Sequence, residues 1–177
     1  MNLAINQNDL KFGVPGIKEA MRHLVGGVSV ITAGSDDDRT GLTVTTAHSL
    51  SVEPAIMIIT VNRKSSGYSA IRDYGHFCVN VLADNQLAVA ERFSGVGGVK
   101  GKDRYAESDW SVLATGALAL DGALANVDCE VEEVIDRYSH GIFLGLVRQV
   151  RLADAGDSQL VYHRNAYGAY PKNISGP

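Results

Sequence analysis

Thr43, Thr45, Thr46, Ser49 and Ser51 crowd into one stretch of this 177-residue chain, from Thr40 to Asn62. Their side chains are short and exchange hydrogen bonds without carrying charge. A planar heteroaromatic ligand with many acceptors needs such a wall, polar yet slim enough for a ring to lie close to the backbone. The same residues also suit plain structure, because Thr favours strands and Ser favours turns. Thr40 to Val52 reads as one strand and Glu53-Pro54 as its punctuation. Ala55 to Asn62, nearly all apolar or β-branched, reads as a second strand buried on both faces.

A second candidate follows directly. Arg63-Lys64-Ser65-Ser66-Gly67 combines two cations and two hydroxyls just before a predicted helix from Tyr68 to Tyr74. A loop at a helix start can hold a phosphate through backbone N–H groups, the helix dipole and serine side chains. Ser65 or Ser66 can equally serve as a simple N-cap. Other stretches carry less. Gly95 to Gly101 is glycine-rich but fits neither the P-loop nor the dinucleotide fingerprint, and reads as a flexible loop. Asp36, Asp37 and Asp38 read as a solvated hairpin tip, since the glycine and glutamate of a calcium loop are missing. Cys78 and Cys129 lie in apolar, strand-like runs, which implies buried reduced thiols. With five scattered histidines they show no metal-ligand spacing.

The elements that must position these residues follow from periodicity. Gly16 to Val25 has helical spacing, with Ile17, Ala20, Met21 and Leu24 on one face, and Gly26-Gly27 stops it. Val28 to Thr32, His76 to Leu82, Ala117 to Asp121, Ala123 to Asp136, Ile142 to Leu152 and Leu160 to His163 read as strands, with a bulge expected at Glu132-Glu133. Asp84 is placed to cap a helix from Asn85 to Phe93. Gly156-Asp157 is a turn. The lead-in 1–15 and the tail 171–177 leave one domain over 16–170. Six or seven strands with three short helices predict a mainly β protein, an antiparallel barrel with added helices. A net charge of −4 argues against nucleic acid as a partner. No apolar run reaches the ~20 residues of a membrane helix, and the N-terminus lacks a secretory pattern, so a cytoplasmic location is expected.

Taken together, Gly27-Val-Ser-Val-Ile-Thr32, Gly41 to Thr46 with Ser49 to Pro54, Val61-Asn62-Arg63 with Ser65-Ser66, Phe77 to Leu82, Arg92-Phe93, Asp103-Arg104-Tyr105, Asp121 to Ala125 with Cys129, His140 with Gly145, and Tyr162-His163-Arg164 resemble the flavin reductase family of short chains. The resemblance spans about Ile17 to Tyr170 and rests on order and spacing rather than on any single piece. It implies an FMN-binding split β-barrel, Greek-key-like and antiparallel with short flanking helices. It also implies an NAD(P)H-dependent flavin reductase, using NADH or NADPH and FMN or FAD. Such chains are commonly homodimers and the reductase component of a two-component monooxygenase.

Matched position by position, the resemblance makes Thr43, Thr45, Thr46 and Ser49 the flavin wall, and Thr60, Val61 and Asn62 the border of the ring and ribityl chain. Ser66, Gly67, Arg92 and Phe93 would surround the phosphate. His140, Tyr162, His163, Arg164 and Tyr167 fall at positions implicated in nicotinamide binding, with His140 the candidate catalytic group. Gly27, where Thr is usual, and His48, where a small or aromatic residue is usual, depart from the pattern. The FMN phosphate carries roughly −1.5 to −2 charges, so an acidic chain must gather cations, and Arg63, Arg92, Lys100, Lys102 and Arg104 lie in suitable segments. The cofactor carries the redox chemistry and the protein orients it, with backbone N–H groups near Thr43 to Thr46 available to the charge arising at N1 and C2–O. His140 can also be a water-exposed turn residue, and His23 and His76 read as structural. Two other readings remain: an FMN-binding electron carrier that does not itself oxidise NAD(P)H, and, ranked last, an oxidase of a phosphorylated vitamer.

Overall fold

The computed structural model describes residues 13–153 and 158–170. The predicted lead-in up to residue 12, the Gly156-Asp157 turn and the tail 171–177 lie outside them. Twelve antiparallel strands and three α-helices follow in order: α1 (Ile17–Arg22), β1 (Gly26–Gly27), β2 (Ser29–Ala33), β3 (Thr40–Val44), β4 (His48–Val52), β5 (Ala55–Asn62), α2 (Ser66–Tyr74), β6 (His76–Val81), α3 (Leu87–Ser94), β7 (Trp110–Val112), β8 (Leu118–Leu120), β9 (Ala125–Arg137), β10 (His140–Leu152), β11 (Gln159–His163) and β12 (Ala166–Tyr170). The main sheet has the order β3-β2-β6-β9-β10-β5-β4. Smaller sheets are β1-β11-β12 and β7-β8. No helix among the described residues is long and apolar enough to cross a membrane.

The hydroxyl-rich stretch departs from its reading as one strand. It breaks at Thr45-Thr46-Ala47 into β3 and β4, which occupy opposite edges of the seven-stranded sheet. The link pins itself as it crosses. The Thr46 hydroxyl donates to the Thr60 carbonyl at 3.1 Å, and Ala47 packs on the core. A link this short forces the sheet to roll until its edges approach. β5 is not buried on both faces either. Ile59 and Val61 point into the core while Thr60 and Asn62 point out. Its neighbours β9 and β10 curl through bulges, one at Glu132 as expected and one at Arg148.

The helices plug the rolled sheet. Ser65 caps α2 by accepting the Tyr68 N–H at 3.2 Å, and Gly75 closes it at φ 68°. Ile71 and Tyr68 then meet Ile59, Val61, Phe77 and Phe143 in the first core cluster. Asp84 does not cap α3 as expected. It begins a 3₁₀ turn, and Gln86 accepts the Ala83 N–H at 3.0 Å instead. α3 buries Val89, Ala90 and Phe93 in the second cluster. There Phe93, Tyr105 and Trp110 stack edge to face and tilted, with centroids 4.8–5.6 Å apart. The glycine run is two 3₁₀ turns, Val96–Gly98 and Gly101–Tyr105. Strands β7 and β12 were not legible as strands, being short and weakly patterned.

A buried polar web holds the β7-β8 hairpin to the sheet. Asn80, fully buried, donates to the Val30 carbonyl at 2.9 Å and accepts from the Leu120 N–H at 2.7 Å and from the Asn126 amide at 2.8 Å. Asp128 accepts from the Thr115 N–H and hydroxyl at 2.7 and 2.6 Å. The Gly145 site is equally tight. A Cβ there would sit 2.5 Å from the Phe77 ring and 2.8 Å from the Cys129 Cβ. Gly145→Ala is therefore expected to cost about 1–3 kcal/mol, read as a lowered denaturation midpoint. Burial pushes the Cys129 thiol up to about 12 and the Cys78 thiol well above its usual range. Unfolded thiols ionise near pH 8.5 and these do not, so this contribution to stability is full below about pH 8.5 and is lost as pH rises toward 12. Native protein at pH 8 should leave a thiol reagent unreacted, and both thiols should react once it is denatured.

Candidate functional site

The edge-to-edge link borders a cleft of about 750 Å³, within the range of about 300–1,000 Å³ typical of small-molecule sites. Three elements wall it. Thr45, Thr46 and His48 come from the link and the start of β4, Tyr162, Arg164 and Asn165 from the β11–β12 hairpin, and Ile17, Lys18, Met21, Arg22, Leu24 and Val25 from α1 and its exit. Gly26 lets these walls close. A Cβ there would fall 2.6 Å from the Thr45 Cβ, so only glycine admits the close approach of β1. The Thr45 hydroxyl, half-buried, has no protein partner among the described residues. Tyr162 is held edge to face against Tyr167 at 5.0 Å.

The hairpin tip is built from two residues in left-handed backbone, Arg164 at φ 50° and Asn165 at φ 64°. Asn tolerates this conformation and Arg pays roughly 1–2 kcal/mol for it. The Arg164 N–H donates to the Arg22 carbonyl at 3.0 Å, tying the hairpin to the end of α1.

A second locus lies at the corner of β5 and α2. Asn62 accepts the Lys64 N–H on its side chain at 2.9 Å and the Ser65 hydroxyl on its carbonyl at 2.8 Å. The Ser66 and Thr40 hydroxyls meet at 2.9 Å. Strand β3 joins this corner to the cleft, five residues and roughly 17 Å long.

The structure thus brings Thr45, Thr46, Tyr162 and Arg164 to one cleft, with Thr60 tied to it through the Thr46 hydroxyl, and Asn62, Ser66 and Gly67 to the neighbouring corner. It places others elsewhere. The Thr43 hydroxyl is committed to the Ala90 carbonyl at 2.6 Å. Ser49 is exposed on β4 and bonds the Ser51 carbonyl at 3.3 Å. The side chains of Val61 and Phe93 are core, each 1% exposed. Arg92 pairs with Glu107 and the Ala106 carbonyl. His163 and Tyr167 stand beside the cleft on β11 and β12 without lining it. His140 is exposed at the start of β10, opposite Asn62, with its Nδ1 2.9 Å from the Ser139 hydroxyl. It therefore sits by the corner and not among the residues lining the cleft.

Most of the cations nominated from sequence already have protein partners. Arg63 is 4.0 Å from Asp136 and Lys102 is 2.6 Å from Asp37. Arg104 donates to the Gly41 and Val99 carbonyls, and burial lowers its proton affinity. Lys100 has no ion-pair partner among the described residues. Sequence reading missed the wall made by α1. Its apolar spacing was legible, but nothing local says that it stands opposite Thr45.

Comparisons with known proteins agree in one direction. The family described as "Flavin reductase like domain" matches residues 21–171. An FMN reductase (NADH) RutF of Agrobacterium fabrum is 31% identical over 150 residues, covering 85% of this chain and 84% of that one. The 4-hydroxyphenylacetate 3-monooxygenase reductase component of Pseudomonas aeruginosa is 31% identical over 148 residues, covering 84% and 87%. Among solved structures, a nitrilotriacetate monooxygenase component B homolog from Mycobacterium thermoresistibile superposes with a TM-score of 0.80 at 27% identity, covering 89% and 87%.

The two threonines separate structure from ligand contact. Thr43→Val removes a bonded hydroxyl and should cost about 1 kcal/mol of stability. Thr45→Val should leave stability within about 0.5 kcal/mol. Chemical denaturation of both variants reads the difference.

Proposed function

The chain belongs to the flavin reductase family, and from that membership we propose that it is an NAD(P)H:flavin oxidoreductase acting on FMN or FAD. The observation that carries this reading is the cleft itself, where the hydroxyl link of the flavin wall faces Tyr162 of the nicotinamide segment. The residues present fit a flavin. Thr45 offers a hydroxyl with no protein partner among the described residues, and glycine at 26 keeps the floor slim. Thr45, Thr46 and Thr60 would hold the ring end, and Ser66 and Gly67 at the start of α2 the phosphate end. Exposed pairs such as Arg63 with Asp136 are weak and can turn to a phosphate. When bound, the flavin supplies a two-electron acceptor for hydride. The chain's own work is to orient nucleotide and flavin face to face and to keep water out.

The rolled sheet, whose edges meet at a three-residue link without pairing, supports a split-barrel reading, with one flavin reductase-like unit over 16–170. A homodimer is supported by unpartnered apolar surface. Ile58, Ile142, Leu144 and Leu146 line the outer face of β5 and β10, and Leu50 on β4 is 54% exposed. His140 stands at the rim of that face, and in this reading it meets the nucleotide where a second copy covers it. Relatives named as monooxygenase reductase components support delivery of reduced flavin to an oxygenase. The buried reduced thiols suit a cytoplasmic setting.

Steady-state assays crossing NADH and NADPH with FMN and FAD test the reading. Flavin-dependent nucleotide oxidation is expected, and no turnover in any combination would overturn it. His140→Ala should raise the nucleotide KM about fivefold while changing flavin affinity little. Equal loss of both would make His140 a scaffold residue.

A further inference from the structure

In a chain of net charge −4, the cleft is lined by Lys18, Arg22, His48 and Arg164 and, among the described residues, by no carboxylate. Arg22 is partly neutralised by Glu19, which it meets at 2.9 Å. Lys18 and Arg164 have no ion-pair partner among the described residues. Lys18 and Arg22 lie four apart on α1 and so share a face. The bond from the Arg164 N–H to the Arg22 carbonyl brings the third cation onto the same wall. Arg164 is held there in a backbone conformation unfavourable to it, the kind of local strain that collects at ligand sites.

Nucleotide sites that accept only the unphosphorylated dinucleotide place a carboxylate on the ribose 2′-hydroxyl, which repels a 2′-phosphate, whereas sites that accept the phosphate offer an arginine. This cleft has the second set of groups. Resting on the reductase reading above, we propose that Lys18 and Arg164 are specificity-determining residues that take the 2′-phosphate of NADPH, so that the enzyme uses NADPH as well as NADH.

The test pairs kinetics with binding. Lys18→Ala removes an exposed side chain, and Arg164→Asn places in the left-handed turn a residue that tolerates it better, so both variants should fold. Each should lower kcat/KM for NADPH, through KM, about fivefold more than it lowers that for NADH, and Lys18→Ala, which lies outside the nicotinamide segment, should leave NADH within about twofold. Titration calorimetry with adenosine 2′,5′-bisphosphate and adenosine 5′-monophosphate should show tighter binding of the bisphosphate to the unmodified enzyme, with that advantage lost in the double variant. NADH turnover without measurable NADPH turnover would overturn the proposal, as would a parallel loss for both nucleotides or equal binding of the two adenylates. Absence of turnover with either nucleotide would instead sink the reductase reading, and the adenylate comparison would still decide the role of the cations.

Discussion

A tether of three residues between the two free edges of a seven-stranded sheet constrains everything else in this molecule. β3 and β4 are neighbours in sequence and strangers in the hydrogen-bond ladder, so Thr45, Thr46 and Ala47 must bridge the whole width of the sheet. The sheet rolls because an unrolled one would hold those edges several strand spacings of ~4.8 Å apart. The seam that results has no ladder to close it, and unpaired edges are normally a liability. Here the seam is shielded by α1 and by the β11–β12 hairpin, and the space left between shield and seam is the cleft. Fold and site therefore have one cause.

The opposite side of the sheet is made unique by polarity rather than by shape. Asn80, Asn126 and Asp128 are buried and hydrogen-bonded, and the Arg151 guanidinium donates to the Asn126 side-chain oxygen at 2.7 Å. A satisfied polar web in low dielectric favours one arrangement over near alternatives. It locks a hairpin of short strands, β7 and β8, whose own apolar surface is small. The aromatic trio of Phe93, Tyr105 and Trp110 then seals α3 against that hairpin and, through the Tyr105 hydroxyl on the Thr40 carbonyl at 2.6 Å, against the start of β3.

Most elements were legible because their signals are local: the Ser65 cap, the Glu132 bulge, the buried cysteines and the long alternations of β9 and β10. The break inside Thr40 to Val52 was not, since Thr45 and Thr46 are as good for a strand as for a link, and only the pairing of distant strands decides between them. The site was legible in part for the same reason. Thr45 and Thr46 share their type with Thr43, yet Thr43 lies within β3 with its hydroxyl on α3, while the other two fall after the strand has ended. The cations on α1 escaped notice because their importance comes from what lies across the cleft. His140 was singled out as a side chain, while its distance from Tyr162 along the surface depends on topology.

The placement of sulphur has a bearing on wear. Reduced flavin that meets oxygen before its acceptor yields hydrogen peroxide, and peroxide attacks thiolates far faster than thiols. Cys78 and Cys129 are each fully buried and kept protonated, so peroxide released beside the protein finds neither in a reactive form. Met21, half exposed on the cleft wall, is open to that by-product. Its sulfoxide would put a polar group where the wall is apolar, so oxidative ageing should reach this cleft wall before the buried thiols.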